Sequence, residues 1–377
     1  MRIVIAPDSF KECASALDVA QAIARGWRRV FPDADVALAP MADGGEGTVE
    51  ALVAATGGSK IEVTATGPMG DAVTAAYGIL GDGRTAVIEM AAASGLPLAP
   101  VRARDPRVAT TRGTGDLMRD ALDRGMRRII LGIGGSATND GGAGMAQALG
   151  FSLLDAAGAE LPPGGAALAR LRRIDAANKH PGLEGTEILV ACDVDNPLCG
   201  PRGASRVYGP QKGASKTAVM ELDEALRHFA AVVKQSLGAD LLDLPGAGAA
   251  GGLGAGLVAF AGARLCRGVD LVAEACGLRE RVAGADLVIT GEGRLDAQTA
   301  HGKTPAGVAR IAKEAGVPVV AVAGTLGEGY AALYEIGIDA MFSICPGPIE
   351  VAEAMGRAEE FIENTAEALA RLWKLSV

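Results

Sequence analysis

The chain has 377 residues, a formal net charge of −9, 49% hydrophobic residues and only 3% aromatic ones. That length exceeds what one ordinary hydrophobic core uses, so two α/β domains are expected, and the acidic balance leaves no extended basic face for nucleic acid. Glycine, at 53 residues, is about twice its usual share, which points to small-residue packing and to backbone loops that approach ligands closely.

Apolar runs at 3–6, 36–39, 86–90, 129–133, 188–192, 287–290 and 319–323 are bounded by Gly or acidic residues and read as strands buried on both faces. Amphipathic patterns at 14–30, 47–55, 116–124, 217–237, 305–315 and 351–372 read as helices between several of them. Strand and helix alternate, so right-handed βαβ units and doubly wound parallel sheets follow. The segment 61–80 differs: its short alternating stretches flank Gly67-Pro68-Met69-Gly70 and predict a hairpin. A second domain is expected to begin there and to close near the helix-like 271–282, giving 1–60 plus 283–377 as one discontinuous domain and 61–282 as an insertion.

The six cysteines are scattered without a C-x-x-C pair and there are three histidines, so neither a disulfide framework nor a structural zinc site is expected. Each cysteine is expected to be buried or half-buried. The chain opens directly on a strand pattern, and the uncharged run 245–263 is mostly Gly and Ala; a cytoplasmic protein with no membrane span is the expectation.

Candidate chemistry collects where strands end. The first strand leads into Asp8-Ser9-Phe10-Lys11, a carboxylate, a hydroxyl and an ammonium within four residues; the competing reading is a turn with Asp8 as a helix cap. The second leads into Asp43-Gly44-Gly45-Glu46-Gly47-Thr48, where paired glycines let backbone approach a ligand, or form a plain turn before a helix. The loop from Gly134 through Gly135, Ser136, Ala137, Thr138, Asn139 and Asp140 to Gly144 follows a strong strand and opens a helix, as an anion site requires. Asp193, at the end of the 188–192 strand, suits a general base or metal ligand, and Lys212 suits a phosphate. The 287–290 strand runs into Glu292, Arg294, Asp296 and Gln298, and then Lys303-Thr304-Pro305, with Thr304 as N-cap and Pro305 at N1. His301 in that loop is a further candidate for substrate contact, whereas His180 and His228 read as packed or solvated.

Two generic motifs compete. Residues 297–304 fit a relaxed Walker A, but the preceding strand ends about seven residues too early for a P-loop. Gly246-Ala-Gly248-Ala-Ala-Gly251 fits a dinucleotide fingerprint but follows Pro245 rather than a strand. An NAD(P)-dependent oxidoreductase acting on a small hydroxy acid is therefore the alternative reading, and a binding protein without turnover a third.

Taken in order, the segments APDSFK (6–11), ADGGEGT (42–48), TGPMG (66–70), 103–115, GIGGSATNDGGAGMAQALG (132–150), 192–197 with PQKGA (210–214), 246–256 and DLVITGEGRLDAQTAHGK (286–303) resemble the type-1 glycerate kinase family, over essentially the whole chain. The resemblance implies two Rossmann-like or flavodoxin-like α/β domains, one inserted in the other, with the active site in the interdomain cleft. It also implies ATP and Mg²⁺ as cofactors, D-glycerate as acceptor and 2-phosphoglycerate as product; a homodimer is one assembly such a chain can adopt. The expected catalytic residues are Asp193, Lys11, Asp8 and Asp296, with Asp193 as the base. Ser9, Asp43, Glu46, Arg294 and Gln298 are expected on the substrate. Gly134, Gly135, Ser136, Thr138, Asn139, Asp140, Lys212 and Lys303 are expected on the nucleotide, and Asp193 and Glu292 on the metal. Two departures stand out: Glu12-Cys13 replaces a small polar pair, and Thr304 stands where the family commonly has Ala.

Overall fold

A computed structural model describes residues 1–375, apart from the side chain of His301. The candidate at His301 thus lies outside the described side chains. The strands, in chain order, are β1 (Arg2–Ile5), β2 (Asp35–Leu38), β3 (Ser59–Thr66), β4 (Ala72–Ile79), β5 (Thr85–Glu89), β6 (Arg128–Gly132), β7 (Ser152–Leu154), β8 (Arg173–Asp175), β9 (Glu187–Ala191), β10 (Arg264–Cys266), β11 (Leu287–Leu295), β12 (Val319–Leu326) and β13 (Ala340–Ser343). All seven apolar runs are strands, and 61–80 is an antiparallel pair, β3 with β4. The additional strands β7, β8, β10 and β13 are three or four residues long.

The chain divides into two compact units. The first comprises Met1–Asp43, Glu50–Gly58 and the chain from Val269 onward; the second comprises Gly44–Val49 and Ser59–Gly268. Residues 269–282 group with the first unit because Arg281 ties its helix to that unit's backbone, donating to the carbonyls of Leu38 at 3.0 Å and Ala55 at 2.9 Å.

The sheet of the first unit has the order β13-β12-β11-β1-β2, with every pair parallel. Numbered by appearance within the unit, that order is 2-1-3-4-5, the flavodoxin-like arrangement, whose direction of winding reverses between β1 and β11. Ile3, Ile5, Leu287 and Ile289 from the two central strands are buried against Val19, Ile23 and Trp27 of the helix Ala16–Arg28 and Phe361, Ile362 and Ala366 of Ala358–Trp373. The first of these helices starts at a capping box, where Ser15 Oγ accepts from the Asp18 N–H and Asp18 from the Ser15 N–H, both at 3.2 Å. Gly26 lets the two helices touch: a Cβ there would collide with the Glu363 carbonyl. Arg25 and Arg29 pair across that contact with Glu359, Glu363 and Glu367. The pattern at 351–372 is two helices, Val351–Gly356 and Ala358–Trp373, broken at Arg357 (φ −119°, ψ 21°).

In the second unit the order is β10-β9-β6-β5-β4-β3, the first four parallel in sequence order and the hairpin antiparallel at the edge, with β7 and β8 a separate two-stranded sheet. Its core gathers Tyr77, Ile88, Met90, Leu117, Ile129, Leu131, Val190, Phe229 and Leu253. The helix expected at 116–124 begins earlier, at Arg112. Gly113 and Gly115 weaken that first turn as sequence, yet each lies where a Cβ would strike a neighbouring carbonyl, of Thr66 and of Met145. No described helix is long and apolar enough to cross a membrane. All six cysteines are free, and Cys13 is exposed rather than buried, because it lies in the tight turn closed by paired backbone bonds between Phe10 and Ala14.

Candidate active site

In open α/β sheets ligands sit outside the carboxyl ends of strands where the winding reverses. In the first unit that point is the end of β1 beside the second half of β11, which runs on through Glu292 and Arg294 to Leu295; Asp8 N–H donates to the Gly291 carbonyl at 2.8 Å. A pocket of about 470 Å³ opens there. One wall is polar: Asp8, Ser9, Lys11, Asp43, Glu292, Arg294 and Lys303 all line it. Seven sequence candidates thus meet in one place; Asp296 and Gln298 do not line it. Asp296 instead shapes the turn after β11, accepting from the Gln298 N–H at 2.9 Å and from Arg294 Nε at 3.1 Å.

Asp8 is no helix cap. Its carboxylate accepts from the Ser9 N–H at 2.7 Å and from the Thr304 hydroxyl at 2.5 Å. Thr304 is accordingly not the N-cap: Lys303 holds that position and Thr304 is the first residue of the helix Thr304–Glu314, its side chain fully buried and turned to Asp8. Burial pushes the Asp8 carboxyl up to about 6, opposed by the Thr304 bond and reinforced by Asp43. Glu292 accepts from the Thr299 hydroxyl at 2.5 Å and lies 3.8 Å from Lys303 Nζ. Burial raises it to about 7, the Thr299 bond and Lys303 working against the rise and Asp8 and Asp296 with it. The sequence offered Thr304 only as an N-cap, and neither hydroxyl as a carboxylate partner; each is brought in from the loop or helix after β11 by tertiary packing.

In the second unit, Gly134 and Gly135 are exposed, whereas Ser136, Thr138, Asn139 and Asp140 are buried. The Asp140 carboxylate is spent on the protein itself, accepting from the Thr111 N–H and hydroxyl at 2.8 and 2.9 Å and from the Gly142 and Gly144 N–H groups at 3.1 and 3.2 Å. Asn139 donates to Ser205 at 3.0 Å. Lys212, expected on a phosphate, is 1% exposed, and its ammonium donates to Ser136 Oγ at 2.7 Å and to the Thr138 carbonyl at 2.6 Å. It is a strut for the loop. Burial pulls it down to about 7, against the opposing pull of Asp140. Two buried polar atoms of the loop, Thr138 Oγ1 and Asn139 Oδ1, have no hydrogen-bond partner.

The glycines at 246–256 serve the same loop. Ala250, Gly251 and Gly252 have left-handed backbone inside Ala249–Ala261, the Gly251 carbonyl accepts from the Gly141 N–H at 3.1 Å, and a Cβ at Gly251 or Gly256 would collide with the carbonyl of Thr138 or Gly141. The apparent dinucleotide fingerprint is thus a backbone-on-backbone contact with no strand before it.

Asp193 is exposed and accepts from the Gly268 N–H at 3.0 Å. Glu46 is exposed on the Gly44–Gly47 turn, which packs so that a Cβ on Gly132, at the end of β6, would strike the Gly44 carbonyl. Beside that turn stands Glu89, absent from the sequence candidates, which accepts from the Val49 N–H at 2.8 Å and whose carboxyl is raised by burial. Its position at the end of β5 is the same signal that selected Asp193. His180 and His228 are structural, bonded to Asp123 and to the Leu171 carbonyl.

No group of three or more His, Cys, Asp or Glu that could hold a metal exists among the described residues. Mg²⁺ needs less from the protein, one or two carboxylates beside substrate phosphates. Asp8 and Glu292 fit that requirement: they are hard oxygen donors, Asp8 raises the proton affinity of Glu292, and a cation relieves that repulsion.

The model of the glycerate kinase family matches residues 3–374. The chain is 55% identical to a glycerate kinase of Bacillus subtilis (strain 168), covering 100% of this chain and 98% of that one. It is 56% identical to a glycerate 2-kinase of Escherichia coli (strain K12), over 91% of this chain and 90% of that one. A crystal structure of a candidate glycerate kinase 2 from Salmonella typhimurium LT2 superposes with a TM-score of 0.93 at 52% identity, covering 100% and 99% of the two chains. Nothing among these relatives favours an oxidoreductase, and the chain belongs to the glycerate kinase family.

Proposed function

We propose that the protein transfers the γ-phosphoryl group of ATP to D-glycerate, giving 2-phosphoglycerate and ADP, as a cytoplasmic enzyme whose two domains are the two compact units. The observation that carries this reading is the pocket at the switch point, where two acids tuned to about 6 and 7 stand with Lys11, Arg294 and Lys303. Phosphoryl transfer asks mainly for charge neutralisation, positioning and a base matched to the working pH. Lys11 and Arg294 meet the carboxylate of glycerate, Ser9 and Asp43 its hydroxyls, and Lys303 the phosphates. Gly134 and Gly135 contribute exposed backbone N–H groups, while Asp140, Asn139 and Lys212 hold that loop in shape. Glu292 would hold Mg²⁺, which when bound offsets phosphate charge, and Asp8 joins it there where Asp193 is the base.

Two acids compete for the role of base. Asp193 is the choice from sequence; Asp8 is favoured by its raised proton affinity and its place in the pocket. Loss of the base lowers kcat by about 10² or more with the KM for Mg²⁺ unchanged, whereas loss of a metal ligand raises that KM, so Asp193→Asn and Asp8→Asn are compared on both counts. A coupled assay of ADP release over a panel of small hydroxy acids, with and without Mg²⁺, tests the reaction, and NMR of the product reports which hydroxyl is phosphorylated. ADP release independent of glycerate overturns the assignment.

A further inference from the structure

The switch-point pocket has a second wall with no part in the chemistry above. Besides the acids and cations it is lined by Ile344, Ile349, Val351, Ala354 and Met355, from just after β13 to the helix Val351–Gly356. Val351 is 72% exposed at the mouth of this lining, and Ala354 and Met355 are half-buried beside it.

Glycerate cannot use such a wall. It has three carbons, each bearing oxygen, and every group it presents is satisfied by the polar side; pressing it against aliphatic side chains costs desolvation without return. The pocket, at about 470 Å³, is of a size that holds a drug-sized ligand rather than a three-carbon acid. Of the two substrates in the proposed reaction only the nucleotide joins a flat, weakly polar ring to a polyanion. Its ring matches aliphatic carbons and the polarisable Met355 thioether, and its phosphates match the cations across the pocket.

We infer that this apolar wall is the seat of the purine ring of the nucleotide, with Val351, Ala354 and Met355 as the residues that set nucleotide affinity. The inference rests on the kinase reading for its choice of ligand but is tested separately from it.

The test uses the full chain with Ala354→Trp, which fills the wall, and Val351→Glu, an exposed position where the change leaves the core untouched. KM for ATP and KM for glycerate are measured in the ADP-release assay, and binding of a fluorescent N-methylanthraniloyl ATP is titrated without glycerate. The expected result is a rise of tenfold or more in KM for ATP and in the fluorescent nucleotide's Kd in both variants, with KM for glycerate changed less than twofold. A rise confined to KM for glycerate makes the wall part of the acceptor site, and unchanged constants in Val351→Glu leave the wall without a ligand; either overturns the inference. If the wild-type chain binds the fluorescent nucleotide, and loses it in Val351→Glu, yet does not phosphorylate glycerate, the reaction assignment fails while this subsite stands.

Discussion

Replacing Lys212 by Met tests whether the buried lysine holds the glycine-rich loop. In the folded chain this lysine lies near 7 against an ordinary value of 10.5, because burial disfavours its charge. The unfolded chain therefore binds more protons than the folded one between those values, and stability rises with pH across that window. The sign is the reverse of a lysine that gains a salt-bridge partner: the cost is fully present below pH 7 and fades toward 10.5. From the two values, the wild type gains about 2 kcal/mol between pH 7 and pH 9 relative to Lys212→Met, in which no group titrates at this position. At pH 9 the Met variant is the less stable of the two, since it abandons the bonds to Ser136 and Thr138. Urea unfolding at both pH values, followed by far-UV circular dichroism, measures the difference; both tryptophans, Trp27 and Trp373, lie in the first unit, so their fluorescence tracks the other transition. Parallel pH dependence in the two proteins would falsify the claim that the ammonium is desolvated in the folded state.

Gly26→Ala adds the better helix former to the middle of a helix, a gain of about 1 kcal/mol in isolation. Here the new methyl meets the Glu363 carbonyl, a backbone atom that cannot swing aside, so the net result is a loss of about 1–2 kcal/mol, read from the unfolding transition reported by Trp27 fluorescence. Because Asp8 and Glu292 sit near 6 and 7, kcat/KM is expected to climb as pH rises through 6 to 7, and Glu292→Gln to remove the upper part of that rise. The same acids bind protons more tightly folded than unfolded, so their contribution to stability declines as pH rises from 4 to 7. Where these acids hold Mg²⁺ as proposed, the ion competes with their protons; its effect on the thermal midpoint is then expected to be larger at pH 7.5 than at pH 5.5, and a pH-independent effect places the ion elsewhere.

The seven apolar strands and the hairpin were legible because a buried strand reads as a continuous apolar run and a half-exposed one must alternate; β2, only half-buried from Val36 to Leu38, was read from its apolar run alone. The strand-end loops were legible too, since acids and glycines directly after such a run serve little purpose in a core. The short strands β7, β8 and β10 were not, because each holds at most two apolar residues in succession; β13 and the break at Arg357 within 351–372 were not legible either.

Composition and order alone therefore determined the α/β class, the family resemblance and the pool of acids and cations at the ends of β1 and β11. Which of them share a pocket was decided by the sheet order 2-1-3-4-5, a long-range pairing of residues 2–5 with 287–295 that no local pattern encodes. Tertiary packing also sorted the residues of the 134–144 loop, turning Asp140 and Lys212 inward as its supports and leaving Gly134 and Gly135 outside. The physical reason is the same in both cases: side-chain chemistry is a property of the residue, but burial, and with it charge state and hydrogen-bond partner, belongs to the neighbours that folding supplies.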